Sequence, residues 1–174
     1  MPSMLTRGVT VVLVAAVVRA ARSADSVEAS AVVEAVYAEF GFTWEPDGYH
    51  GDLADVERGF AGFWVAELEG RMVGTAGLAV SSQRLGGCDC SLERLYVLRE
   101  ARGTGAGSSL LRTVIDEARA RGLHSMEIWS DKRFVDAHRL YERFGARVVE
   151  ERVGDDPDAS AEWGLVLPLE AVSS

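Results

Sequence analysis

The stretch Leu92-Glu93-Arg94-Leu95-Tyr96-Val97-Leu98-Arg99-Glu100-Ala101-Arg102-Gly103-Thr104-Gly105-Ala106-Gly107-Ser108-Ser109-Leu110-Leu111 reads as a strand, a turn and the start of a helix in direct succession. Leu92 to Val97 is the strand. Leu98 to Arg102 leads into Gly103, Gly105 and Gly107, spaced by two. From about Gly105 to Arg121, Leu110, Leu111, Val114, Ile115 and Ala118 recur at helical spacing, and Gly122 ends the run. Glycines let the backbone adopt φ > 0 and come close to a ligand. A helix start offers unsatisfied N–H groups and a partial positive charge. The turn is therefore suited to a phosphate or pyrophosphate, with Arg102 able to add a charge-assisted contact. Glycines alone would also fit a plain strand-to-helix turn. A P-loop is excluded because no Gly-Lys-Ser/Thr follows. The dinucleotide fingerprint wants Gly or Ala where Ser108 stands, and an acidic residue at a strand end where Glu127 lies within its strand.

Upstream of this stretch, Ser23 or Asp25 is placed to cap a helix running to about Phe40 and closed by Gly41. Phe42 to Gly51 reads as a loop. Asp52 is placed to cap a short helix bearing Leu53, Val56 and Phe60. Phe63–Leu68 and Met72–Val80 are strands joined by a tight Glu69-Gly70 turn. Downstream, strands fall at Met126–Ser130, Arg147–Val153 and Trp163–Leu169. A helix runs from Asp136 to Phe144, with Ala137, Leu140, Tyr141 and Phe144 on one stripe. Strands and helices in this order predict one α/β sheet covered on its faces.

Composition sets the outer bounds. The 174 residues carry 27 acidic and 18 basic side chains, a formal charge of −9. Such a length fits a single domain. The acidic balance argues against nucleic acid or an anionic membrane as partner and suits a cationic one. Apolar residues at 48% and charged residues at 26% exclude a disordered chain. Lys132 is the only lysine, so Schiff-base chemistry has one candidate, with nothing to activate it. Cys88 and Cys90 are too few for a disulfide framework. With His50, His124 and His138 scattered, no zinc-ligand spacing exists and no metal is expected. Reduced thiols fit a cytoplasmic protein.

The N-terminus admits two readings. Arg7, the apolar run Gly8–Val18 and the small residues Ala20 and Ala21 are similar to a secretory signal. The run is too short to span a bilayer. Its many valines fit a buried strand, and Arg19 and Arg22 interrupt the region where cleavage would fall. We take the strand. This gives residues 1–12 as an extension, 13–170 as the domain and 171–174 as a tail.

Taken together, Leu92–Val97, the Arg102-Gly-Thr-Gly-Ala-Gly107 turn, the apolar helix and Leu140-Tyr141-Glu142-Arg143-Phe144-Gly145 closely resemble the GNAT superfamily of N-acetyltransferases. Two motifs in the right order, about 38 residues apart with a strand between, are far more specific than either alone. The resemblance covers Phe63 to Val149 well. It implies a single domain with a mixed, mostly antiparallel sheet of six to seven strands and about four helices. It implies acetyl-CoA as co-substrate, with its pyrophosphate on Arg102, Gly103, Thr104, Gly105, Ala106, Gly107 and Ser108. The pantetheine arm would lie along Leu95, Tyr96 and Val97. It implies acetyl transfer to a primary amine of a small molecule or peptide, and pairing of two copies through the final strands. A binding module that holds acyl-CoA without turnover is the alternative.

The motif tyrosine, which in the family often protonates the leaving thiolate, maps onto Tyr141. A core tyrosine on an apolar stripe is the competing reading. The amine, with an ordinary pKa near 10, must lose a proton before attack, and a carboxylate is the usual device. Many relatives carry an acid where Ser91 stands. In a period-2 strand Ser91, Glu93, Leu95 and Val97 share a face, so Glu93 becomes the candidate base, against the plainer reading of a solvated edge charge. Phe134 stands where many relatives have Asn. The acceptor pocket would draw on Trp44, Tyr49, His50 and Asp52 from the first helices and on Trp163 from the final strands, aromatic groups flanking an acid and able to hold a cation or simply to pack.

Overall fold

The computed structural model describes residues 14–80 and 85–170. The extension read at 1–12, most of the Gly8–Val18 run, the start of the Gln83–Asp89 loop and the tail 171–174 lie outside the described residues. Seven strands, β1 (Val17–Ala20), β2 (Gly62–Leu68), β3 (Arg71–Ala79), β4 (Cys90–Val97), β5 (Ser125–Asp131), β6 (Arg147–Val153) and β7 (Ala161–Pro168), form one sheet. Its order is β1-β2-β3-β4-β5-β7-β6. Every pairing is antiparallel except β4 with β5. Four helices accompany it, α1 (Ser26–Phe40), α2 (Val56–Gly59), α3 (Ala106–Ala120) and α4 (Val135–Arg143).

The two long helices cover opposite faces. On β3, Gly74 pairs with Val97 of β4, and Thr75 pairs with Tyr96. A Cβ on Gly74 would sit 2.9 Å from Leu110 Cδ1 of α3, so the absence of a side chain there lets α3 approach. Tyr96, on the other face, meets Tyr37 of α1 with ring centroids 5.8 Å apart. Leu110, Leu111 and Val114 of α3 are fully buried. Each such side chain contributes roughly 1.5–3 kcal/mol of transfer free energy.

Two caps differ from the sequence expectation. Asp55, not Asp52, caps α2, its carboxylate accepting from the Glu57 N–H at 3.2 Å; Asp52 is drawn to Arg94 instead. Neither Ser23 nor Asp25 caps α1 by its side chain. The Asp25 carboxylate accepts from the Arg22 N–H at 2.8 Å and from the Arg19 guanidinium, which holds its pKa down at about 2. The Ser23 hydroxyl is taken by Asp55 and Glu57.

Candidate active site

The site originates in a gap. β4 and β5 pair only at Cys90–Met126 and Ser91–Glu127. Beyond Ser91 the strands part, leaving the β5 side of Leu92–Val97 without a ladder partner. A cavity of about 910 Å³ opens there, within the usual range of small-molecule sites.

β4 carries a bulge within this gap. Glu93 pairs with Gly77 and Tyr96 with Thr75, so two residues of β4, Arg94 and Leu95, oppose the single Ala76. Arg94 takes a left-handed φ of 49°, and the Thr75 hydroxyl donates to its carbonyl at 2.8 Å. The extra residue reverses the alternation. Glu93 therefore shares its face with Tyr96, and the shared face expected for Glu93, Leu95 and Val97 is corrected. Glu93, Leu95, Tyr96 and Val97 all line the cavity.

Ser91 is buried, and its hydroxyl donates to Glu93 Oε1 at 2.8 Å. Burial pushes the Glu93 carboxyl above the ordinary carboxylate range, while the Ser91 hydrogen bond and the Arg94 charge pull it back. Tyr141 also lines the cavity and is 4% exposed. No described residue hydrogen-bonds its hydroxyl, and burial raises its pKa well above that of a free tyrosine. A core tyrosine normally finds a partner for its hydroxyl; this one has only the cavity.

At the glycine turn, Gly103 and Gly105 adopt φ of 79° and 87°, and a Cβ on either would meet nothing within 4 Å. α3 starts with no side-chain cap. Its first i→i−4 bond is Ser109 N–H to Gly105 O at 2.9 Å, so the amides of Ala106, Gly107 and Ser108 precede the helical ladder. Gly103, Gly105, Gly107 and Ser108 line the cavity; Thr104 and Ala106 do not. The Thr104 hydroxyl donates to the Ala101 carbonyl at 2.6 Å, and Ala106 is buried. Arg102 reaches the cavity wall, but its fork is engaged. It grips Glu39 of α1 through two hydrogen bonds of 2.7 Å, and its Nε donates to the Val97 carbonyl. In this arrangement it straps α1 to the turn.

Of the residues expected at the acceptor end, Tyr49 reaches the wall, whereas Trp44, His50, Asp52 and Trp163 do not. His50 is 1% exposed and packs against Trp44 and Tyr37, with ring centroids 4.2 and 4.4 Å away. Its Nδ1 accepts from the Glu45 N–H, and burial pulls its pKa down to about 4. Trp44 and His50 thus back Tyr37 and Tyr49. Phe134 packs edge-on against Phe40 at 4.7 Å and forms an apolar part of the wall. Sequence reasoning missed Glu39, Arg94, Asp156 and Glu162, all of which line the cavity. Their loops and strands meet only in the fold: the Thr43 hydroxyl and N–H donate to Asp158 at 2.6 and 2.7 Å, joining the loop after α1 to the loop before β7. Among the described residues no group of His, Cys, Asp and Glu is placed to hold a metal ion, and no helix is long and apolar enough to cross a membrane.

Comparison with known proteins places this geometry in context. The profile of the acetyltransferase (GNAT) family matches residues 29–146. A probable N-acetyltransferase camello of Xenopus tropicalis is 36% identical over 99 residues, 54% of this chain and 44% of that protein. An N-acetylaspartate synthetase of Danio rerio is 31% identical over 126 residues, 70% of this chain and 42% of that protein. The chain thus spans less than half the length of these curated relatives. Among solved structures, a GNAT-family acetyltransferase of Staphylococcus aureus Mu50 superposes with a TM-score of 0.75 at 20% identity, covering 90% of this chain and all of that one. The putative acetyltransferase yncA of Salmonella typhimurium, solved with acetyl-CoA, gives 0.68 at 23% identity, covering 91% and 96%.

Proposed function

Because the chain belongs to the GNAT acetyltransferase family, we propose that it moves the acetyl group of acetyl-CoA to a primary amine of a small molecule or peptide, by direct attack in a ternary complex. The observation that carries this reading is a single cavity lined by the glycine turn, by unpaired β4 backbone and by Glu93 and Tyr141.

The residues fit the co-substrate. The turn presents amides ahead of the α3 ladder, beside two glycines whose Cβ positions are open, which suits a pyrophosphate. The free edge of Leu95, Tyr96 and Val97 offers main-chain groups to an amide-bearing arm. Acetyl-CoA would supply an activated acetyl group. The chain's own work is then proton management and orientation. Glu93, whose carboxyl burial pushes above the ordinary carboxylate range, takes a proton from the ammonium form of the acceptor. Tyr141 holds its proton at Oη, available to the departing sulfur. Donors on the β4 edge polarise the carbonyl under attack.

On the acceptor side, Glu93, Asp156 and Glu162 line the cavity, which supports an acceptor that enters as a cation. Tyr49 forms its wall, with Trp44 and His50 behind. The free, buried Cys88 and Cys90 fit a cytoplasmic setting, and Val148 and Val149 exposed on the β6 edge fit a homodimer. Retention of acyl-CoA without turnover is less well supported, since proton-accepting and proton-donating side chains share the cavity.

Calorimetric titration with acetyl-CoA tests the site. Gly105→Glu puts a carboxylate and an L side chain at a φ of 87° and should weaken binding at least about tenfold, the effect of losing a charge-assisted contact. Gly122→Glu carries similar backbone strain at the far end of α3, with a φ of 75°, and should bind as the parent does. Equal affinity in both variants removes the turn from the site.

A further inference from the structure

Arg94 is a buried cation that the mechanism above does not use. Its side chain is 7% exposed and lines the same cavity as Glu93. Consecutive strand residues normally point to opposite faces. The left-handed φ at the bulge overrides this and brings a carboxylate and a guanidinium from adjacent residues into one cavity. The guanidinium is fixed from behind. Nε donates to Asp52 Oδ2 at 3.0 Å, Nη2 donates to the Tyr49 carbonyl at 2.7 Å, and the Tyr49 ring centroid lies 4.7 Å from its carbon. The Tyr96 hydroxyl is a further hydrogen-bonding neighbour of the guanidinium.

Asp52 takes one N–H and is itself 30% exposed, so it orients the fork without saturating it. Another cation lining the cavity, Arg133, is committed to Asp131 by two hydrogen bonds of 2.9 and 2.6 Å. Of the acids there, Glu162 is engaged by Arg152 at 2.6 Å, and Asp156 by the N–H and hydroxyl of Ser160. Five N–H donors in a fixed fork exceed what Asp52, Tyr49 and Tyr96 take, so the guanidinium keeps donors for a further anion in the cavity.

We infer that Arg94 binds a carboxylate of the acceptor, so that the acceptor is an amino carboxylate whose ammonium faces Glu93 and whose carboxylate faces Arg94. This rests on the acetyltransferase reading of the same cavity. The ammonium and carboxylate of a free amino acid are separated by a single carbon, a spacing that suits partners supplied by neighbouring residues.

The test is acetyl-CoA-dependent thiol release with the common amino acids, each set against its amide and its decarboxylated amine. The parent protein should favour at least one amino acid over both analogues by about tenfold or more in kcat/KM, the scale of a hydrogen bond to a charged group. Arg94→Gln should bring that ratio close to one through KM, and Arg94→Lys, which keeps the charge but not the fork, should fall between. Acetyl-CoA affinity reports whether each variant has folded; if Arg94→Gln has not, the parent ratios alone decide. Amides and decarboxylated amines acetylated as well as the amino acids would overturn the inference and leave the acetyltransferase reading intact. Acetyl-CoA binding with no transfer to any of these amines would overturn both.

Discussion

The Ser91 hydroxyl donates a 2.8 Å hydrogen bond to Glu93 Oε1. Ser91, the last β4 residue paired with β5, thus supports the acid two residues on. A donor to the carboxylate favours its ionised form and lowers its pKa, opposing burial. Removing that donor in Ser91→Ala should raise the Glu93 pKa further. The acid limb of the kcat/KM profile should move upward by about half to one pH unit, the equivalent of one hydrogen bond. Glu93→Gln should erase that limb along with most of the activity. An unshifted limb in Ser91→Ala removes Glu93 as the titrating base.

Tyr141→Phe separates two roles cleanly. Its hydroxyl has no hydrogen-bond partner among the described residues, so the phenylalanine variant should match the parent in thermal stability and in acetyl-CoA affinity. Turnover should fall by about a hundredfold or more, the usual contribution of a positioned proton donor. Undiminished turnover would return Tyr141 to the core.

His50 makes a prediction about acid. It is buried, and its pKa is pulled from 6.5 down to about 4. A group whose folded pKa is depressed below its unfolded value binds protons preferentially when unfolded. Its contribution is therefore present above pH 6.5 and lost as pH falls towards 4, worth on the order of 3 kcal/mol at most. His50→Asn keeps an acceptor near the Glu45 N–H without titrating in this range. Its melting temperature should depend less on pH between 6.5 and 4 than that of the parent. Parallel curves would show that His50 is not a source of acid lability.

Where local spacing governs, the sequence was readable. The β6 boundaries Arg147 and Val153 and the α3 stripe follow directly from their patterns. The Glu69-Gly70 turn does too, with φ of 51° and 77°. The glycine turn could be found because its residues are contiguous. The bulge at Arg94 could not. No glycine or proline marks it, and strict alternation gave the wrong partner for Glu93. Asp52 looked like a cap, or the acid among the loop aromatics, because both are local readings, yet its partner Arg94 stands 42 residues away. Glu39 with Arg102 and Thr43 with Asp158 are likewise long-range pairs. The proposed acceptor end is built from such pairs, which is why Trp44 and His50 looked equivalent to Tyr49 until the fold placed them behind it.

The central claim is acetyl transfer in the cavity between β4 and β5. Mass spectrometry of a mixed amine panel incubated with acetyl-CoA, with CoA thiol counted in parallel, tests it most directly. The account predicts one class of amine gaining an acetyl group in step with thiol release, and loss of both in Gly105→Glu. Acetyl-CoA bound by the parent protein with no amine acetylated, or transfer that persists in Gly105→Glu, would contradict it.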